Sequence, residues 1–305
     1  MKPLRSCFPV LALILATACS SPPPEPYSSA DLAPVRAARD AGDWEEAWDL
    51  IEDLEREYFD RMSQGEFSRL AGDIAYEIEN WDRSIRHYGE FLLFQGPTED
   101  SRLVEQRLLE MGLDLLEGRR RAFGIFPDRG RGATILLNMA AWAPASPYAS
   151  EALASVGEYH YSQEYFDEAL EDYQLILRFH PNSEWADLAT FRIGMCGFQQ
   201  LDGPEVDGRL IDGSRSQLKQ YLRTFPSGLY RQEAEEVVAE LDEMSASHHL
   251  LIGEYYLEIG NLRGARQSFE EAAGRTGTDA STVALAHLES LPPDPPLEAF
   301  QPVEE

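Results

Sequence analysis

Positive charge is scarce in this chain of 305 residues, where 26 lysines and arginines face 54 aspartates and glutamates for a formal net charge of −28. So acidic a surface repels phosphate backbones, which argues against nucleic acid as a partner. It is repelled by anionic lipid headgroups too, so any hold on a membrane needs another device. Long hydrophobic runs are missing: the longest near the start, Phe8 to Ala16, is about half of the roughly 20 residues that span a bilayer. Sustained alternation of apolar and polar residues is missing as well, which predicts no sheet. Six histidines are present and only His248 and His249 are close in sequence. Neighbours on a helix point about 100° apart, so this pair is not the i,i+4 zinc pair of a metallopeptidase. There is no HExxH, no phosphate-cradling glycine loop and no GxSxG elbow. Asp202, Glu205, Asp207 and Asp212 lie among glycines, but their spacing does not match the ligand positions of an EF-hand. Catalysis has no candidate residue, and no metal or cofactor is expected. What remains, 43% hydrophobic residues and 26% charged, is enough to bury a core.

The three cysteines divide by position. Lys2 and Arg5 open a short basic region, the apolar run follows, and Ala16-Thr17-Ala18 places small residues directly before Cys19. This order describes an export signal over 1–18. The cysteine after the small residues resembles a bacterial lipobox, with Ala16 where leucine is usual and Leu15 one place earlier. The resemblance implies cleavage before Cys19 and acylation of its thiol and new amine, three chains where two signals suffice for stable anchoring. Ser20 after the cysteine implies the outer membrane. Residues 19–30, rich in proline and serine, read as an extended tether. Cleavage removes Cys7, so Cys196 is left without a disulfide partner. It sits in the apolar run Phe191 to Phe198 and is expected to be buried.

Fixed spacings carry the strongest signal. Four segments run twelve residues from one small or apolar site to another small one: Val35 to Ala47, Gly72 to Ser84, Gly157 to Ala169 and Gly253 to Ala265. Four residues beyond each comes a large residue, Ile51, Tyr88, Tyr173 and Phe269, one helical turn along the same face. A second ruler agrees: Pro144, Pro181 and Pro226 precede Tyr148, Trp185 and Tyr230 by four residues, and Gly157, Gly194 and Ala239 by thirteen. Small residues facing each other let two antiparallel helices approach closely, large ones fill the seam, and proline ends the second helix because it cannot continue it. These landmarks resemble the tetratricopeptide repeat and imply an all-α solenoid of about five to six helical hairpins. Hairpins are expected near 31–60, 65–95, 101–143, 147–180, 185–225 and 246–275, with an extra helix at 229–243. The division is 31–97 for the N-terminal hairpins, 101–291 for the longer repeat region and 292–305 for a proline-rich acidic tail. Two stretches depart from the short form: a long acidic loop between Phe198 and Gln217, and the basic stretch from Leu116 to Ala133. The basic stretch either docks an acidic partner or is a solvated loop balancing nearby acids.

The C-terminal half is more specific. Phe179-His180-Pro181-Asn182-Ser183 followed by Trp185-Ala186, with WAPASPYASEA at 142–152 and FPSGLYRQEA at 225–234, resembles the aromatic-x-Pro-x-Ser element of the BamD-type outer-membrane assembly lipoproteins. The stretch 244–265 resembles that family's last repeat. Glu258 stands where the family usually has a basic residue. The resemblance implies a non-enzymatic lipoprotein scaffold on the periplasmic face of the outer membrane. Its implied partners are the POTRA domains of a barrel-forming subunit and unfolded outer-membrane proteins. A periplasmic repeat adaptor of the Tol, cell-division or peptidoglycan systems is the alternative; such adaptors usually begin with a coiled coil and lack a lipobox.

A peptide groove follows from the repeat. The residue after the first small site faces the concave surface of a tetratricopeptide array, which selects Arg36, Asp73, Glu158 and Glu254. One turn on come Tyr76, Tyr161 and Leu257. Aromatics beside carboxylates suit an extended peptide with hydrophobic anchors; the same residues also suit solvated helix faces.

Overall fold

The computed structural model describes residues 28–58, 65–95, 99–119, 121–122 and 126–293. The leader, Cys19, most of the tether and the tail from 294 lie outside them.

Small residues set where the helices meet. A Cβ on Gly72 would lie 2.5 Å from the Tyr88 ring, one on Gly157 2.8 Å from Tyr173, and one on Gly253 2.5 Å from Phe269. Ser84 donates its hydroxyl to the Gly72 carbonyl at 3.0 Å, so the paired small sites touch. The large residues Ile51, Tyr88, Tyr173 and Phe269 are fully buried. Among the described residues six antiparallel hairpins result: α1 Ala33–Ala41 with α2 Trp44–Tyr58, α3 Glu66–Glu77 with α4 Trp81–Gln95, and α5 Glu99–Leu116 with α6 Arg129–Trp142. They continue with α7 Ala149–Ser162 and α8 Phe166–Phe179, α9 Ala186–Gln199 and α10 Gly208–Thr224, and α11 Arg231–Glu258 with α12 Leu262–Ala273. A last helix, α13 Asp279–Ser290, closes the stack against α11 and α12. Each hairpin packs mainly on its chain neighbours, as a solenoid must.

The proline ruler marks three identical connectors. Pro144, Pro181 and Pro226 stand two residues beyond the ends of α6, α8 and α10. In each connector the residue two past the proline donates its amide back to the residue before it: Ser146 to Ala143, Ser183 to His180 and Gly228 to Phe225. The aromatics Tyr148, Trp185 and Tyr230 then occupy the N-cap positions of α7, α9 and α11. The Tyr230 ring stacks on Phe191 at 4.8 Å, fixing the angle between hairpins.

Four expectations are corrected. The extra helix at 229–243 and the first helix of the last hairpin are one 28-residue helix, α11, because Glu243-Met244-Ser245-Ala246 offers neither glycine nor proline to stop it. α13 was not expected; its start is signalled by Thr278, whose hydroxyl accepts from the Ser281 amide at 3.1 Å. The acidic loop is only 200–207, since Asp207 caps α10 by accepting from the Arg209 amide at 2.9 Å and the helix runs on through Gly208 and Gly213. Instead of no sheet, a two-residue antiparallel ladder pairs Arg121–Ala122 with Phe126–Pro127, too short to leave an alternation in the sequence. Beyond it the basic stretch is helical: a Cβ on Gly132 would lie 2.5 Å from the Leu116 amide nitrogen, so Gly132 lets α5 and α6 meet backbone to backbone. Arg119 pairs with Asp114 and Glu117 at 3.0 and 3.1 Å, and Arg131 pairs with Asp82. Those arginines balance neighbouring acids.

Candidate functional site

The predicted groove residues sit where one hairpin meets the next, and two sets of them form the same arrangement. In the first, the Asp73 carboxylate on α3 accepts from the Tyr88 hydroxyl on α4 at 2.8 Å and from Arg107 on α5 at 2.8 Å. Arg69 completes the carboxylate from its own helix at 2.9 Å. Arg107 also donates to the Tyr88 oxygen at 2.7 Å and to Glu77 at 3.1 Å, and its guanidinium lies 4.3 Å over the Tyr76 ring. In the second, Glu158 on α7 accepts from the Tyr173 hydroxyl on α8 at 2.6 Å. Arg192 on α9 grips both of its oxygens at 2.7 and 2.9 Å while lying 4.3 Å over Tyr161.

Five positions thus recur at one interval of 85 residues: Gly72 and Gly157, Asp73 and Glu158, Tyr76 and Tyr161, Tyr88 and Tyr173, Arg107 and Arg192. The chemistry explains the composition. A planar guanidinium can grip a carboxylate through its edge and an aromatic ring through its face at once, which an ammonium cannot. The glycine draws the tyrosine ring against the first helix, and the ring's hydroxyl then reaches the carboxylate one residue along. Electrostatics follow the geometry. Burial, then the Asp73 charge, pushes the Tyr88 phenol up, and burial, then the Glu158 hydrogen bond, does the same at Tyr173. Burial works against the charge on Arg107 and Arg192, but their hydrogen bonds and ion pairs outweigh it and hold both cations more firmly than usual.

The other two predicted positions vary the theme. Arg36 on α1 reaches the Ser29 carbonyl at 3.3 Å and pairs with Glu66 at the start of α3. Glu254 on α11 is exposed and faces His287 of α13 at 3.7 Å; Phe269 replaces the tyrosine and stacks on the His287 ring at 4.7 Å. Asp73, Tyr76, Glu158 and Tyr161 therefore spend much of their binding capacity inside the molecule. Arg107 and Arg192, 34 residues beyond their carboxylates, fall outside the repeat spacings; the 85-residue recurrence is the signal that marks them.

Open surface remains beside the first clamp. A cavity of about 440 Å³ lies between the α3–α4 turn and α5, with Tyr76, Trp81, Met111 and Leu113 as apolar lining and Glu110 and Asp114 among its carboxylates. It offers hydrophobic anchoring beside negative charge. Elsewhere the ionisable groups have structural settings. Cys196 is fully buried, as expected, and burial pushes its thiol up to about 12, leaving it unreactive. The Nδ1 atoms of His248 and His249 face the Pro204 carbonyl at 2.7 Å and Glu271 at 3.2 Å respectively. Among the described residues no group of three or more metal-ligating side chains gathers, and no helix is long and apolar enough to cross a membrane.

Known proteins agree with the C-terminal landmarks. Residues 129–271, from the start of α6 to within α12, match the model of a family described as YfiO, outer membrane lipoprotein. A curated relative from Caulobacter vibrioides, the outer membrane protein assembly factor BamD, is 22% identical over 139 residues, 46% of this chain and 46% of the relative. The chain thus matches about half the length of that relative. A tetratricopeptide repeat protein from Parabacteroides merdae is similar to 85% of this chain and 96% of its own, at 15% identity and a TM-score of 0.31. The resemblance of these hairpins to BamD-type lipoproteins is shown by the family and relative matches; the helical-hairpin architecture is visible in the molecule itself.

Proposed function

We propose that this chain is a non-enzymatic lipoprotein scaffold of the machinery that assembles β-barrel outer-membrane proteins. The observation that carries the reading is the YfiO match over α6 to α12, which coincides with the three proline connectors and the second arginine clamp. In this reading residues 1–18 are removed, Cys19 carries the lipid, 19–30 tether the solenoid, and the hairpins over 31–97 and 101–291 face the periplasm, followed by the tail 292–305. The C-terminal hairpins bind the POTRA domains of the barrel-forming subunit. Unfolded clients bind the N-terminal hairpins, where the cavity beside Tyr76 supplies an apolar floor for an anchoring side chain. The arginine clamps hold the hairpins at a fixed pitch, so the two binding regions keep a set separation.

The test is affinity purification of the tagged chain from detergent-solubilised outer membranes. Stoichiometric recovery of a POTRA-bearing barrel protein is expected; recovery of Tol or peptidoglycan-synthesis proteins instead, or of no barrel protein, overturns the reading. Metabolic labelling with a palmitate analogue reports on the anchor, and Cys19→Ser is expected to abolish incorporation.

A further inference from the structure

The N-terminal half of α11 is buried against α10 through Ala234, Val237, Val238 and Leu241, but one face of its C-terminal half is bare. Leu251, Tyr255 and Ile259, spaced four residues apart on one stripe, are 42%, 59% and 56% exposed, and Leu262, the first residue of α12, is 36% exposed. Large apolar side chains aligned on a helix that already packs its other face mark an interaction site rather than scattered surface residues. On α11 itself the charge beside them has one sign, while the exposed Arg263 of α12 follows Leu262. Glu254 and Glu258 flank the stripe, and the same side of α11 carries Glu233, Glu236 and Glu240 further up, all exposed. Among the described residues no lysine or arginine pairs with any of these five; Glu254 faces His287, and Glu236 accepts from Gln232.

We infer that this stripe docks a partner protein through a basic amphipathic segment, whose apolar residues cover Leu251, Tyr255 and Ile259 while flanking lysines or arginines meet Glu254 and Glu258. Charge complementarity selects this occupant. An anionic lipid surface is repelled by the five glutamates. A second copy docked on the same face across a two-fold axis would set Glu254 and Glu258 against their own counterparts. Acidic partners are disfavoured for the same reason, whereas a cationic segment gains attraction on approach and specificity once bound. The inference concerns the chemistry of the docked segment and does not depend on which envelope system supplies it.

Two measurements test it on the full-length chain, the first in detergent and the second in cells. The first titrates fluorescent amphipathic peptides of about five helical turns, one of leucine and lysine, one of leucine and glutamate. The lysine peptide is expected to bind, and the glutamate peptide to bind at least about tenfold more weakly. Glu254→Lys with Glu258→Lys is expected to weaken the lysine peptide at least about fivefold. Both positions are exposed, and an unchanged helical circular dichroism spectrum confirms the fold. Equal binding of the two peptides, or no loss on charge reversal, overturns the inference. The second replaces the Tyr255 ring with a photoreactive benzophenone in cells and sequences whatever segment becomes attached. A segment with lysine or arginine within a helical turn of its apolar residues supports the inference. An acidic segment, a second copy of this chain, lipid, or no adduct overturns it. Neither measurement needs the assembly machinery, so failure here and failure of the proposed function are read separately.

Discussion

The two clamped junctions and the last one solve the same packing problem with different chemistry. At α3–α4–α5 and α7–α8–α9 a glycine admits a tyrosine, the tyrosine hydroxyl meets a carboxylate, and an arginine from the next hairpin closes the set. At α11–α12–α13 the glycine still admits a ring, Phe269, but a phenylalanine has no hydroxyl, and His287 meets it by stacking instead. The small-to-large fit is therefore the common requirement, and the charged clamp is an addition confined to the interior of the solenoid. It is not general there: Gly112 on α5 and Gly194 on α9 face leucines, Leu136 and Leu218, which have no hydroxyl to offer a carboxylate.

Removing the common requirement has the largest expected effect. Gly157→Val at the second clamp and Gly253→Val at the last junction each push a branched side chain into a fully buried ring. Overpacking of this kind costs about 1–3 kcal/mol, and both variants are expected near about 3 kcal/mol because neither ring has room to retreat. Urea denaturation of the two variants measures it. If Gly253→Val is tolerated while Gly157→Val is not, the small-to-large fit is not shared and the comparison fails.

The clamp itself comes second. Arg192→Ala leaves Glu158 without its cation and the Tyr173 hydroxyl facing an unneutralised carboxylate. Arg192 is mostly buried and Glu158 is partly exposed, so solvent screens part of the loss and about 2 kcal/mol is expected. Arg192→Lys is expected to recover little, because an ammonium cannot bridge both oxygens while covering the Tyr161 face. His287→Ala at the last junction is expected to cost less than about 1 kcal/mol, the scale of an aromatic stack beyond its buried area. Equal losses at Arg192 and His287 would erase the difference between clamped and terminal junctions.

Much of this contrast is legible in the sequence. The twelve- and sixteen-residue intervals identify the small-to-large contacts at Gly72, Gly157 and Gly253 but not those of Gly112 with Leu136 and Gly194 with Leu218, and the proline ruler places three connectors to the residue, because both rulers rest on local sterics that a short window contains. The clamp was not legible by that route: Arg107 and Arg192 come from the following hairpin, and only the pitch of the solenoid brings them back to Asp73 and Glu158. For the same reason four residues selected as groove-facing prove to be engaged between hairpins. The concave position was read from repeat geometry, but a neighbouring repeat can use that position as well as a ligand can. The break expected in α11 between 243 and 246 is absent, because nothing there stops a helix, and α11 runs on past Gly253, the contact point for Phe269.

A third prediction separates the α7–α8 hairpin from the others by pH. Asp172 on α8 is buried, and burial raises its carboxyl to about 6 despite the His160 imidazole nitrogen at 2.7 Å. A carboxyl whose folded value lies above its unfolded value of 3.8 favours folding in its protonated form. That contribution is complete below the unfolded value and is lost as pH rises through about 6. Asp172→Asn keeps an acceptor for His160 and cannot ionise, so its stability is expected to vary less between pH 4 and pH 6.5 than that of the parent chain. Thermal melts across that range check the slope, and parallel curves for the two proteins would rule the assignment out.

The smallest effect concerns the turns inside the hairpins, where the clamped and unclamped repeats differ once more. Seven residues past each small site the backbone enters the left-handed region. Gly42 and Gly260 occupy it in the first and last hairpins, with φ of 79° and 75°. Glu79 and Glu164 occupy it in the two clamped ones, with φ of 57° and 63°. A residue with a Cβ is strained there, by about 1–2 kcal/mol for the conformation itself, and part of that is offset because glycine is freer in the unfolded chain. Glu164→Gly is therefore expected to stabilise by about 0.5–1 kcal/mol. The reverse change, Gly260→Glu, is expected to destabilise by a similar amount. The two hairpins that carry the strained turn are the two held by an arginine clamp. If the clamp is what holds those turns in place, Glu164→Gly should recover more stability in the Arg192→Ala background than in the parent chain. A double-mutant cycle over the two positions measures that difference, and strict additivity would show that the turn and the clamp, though always found together, act independently.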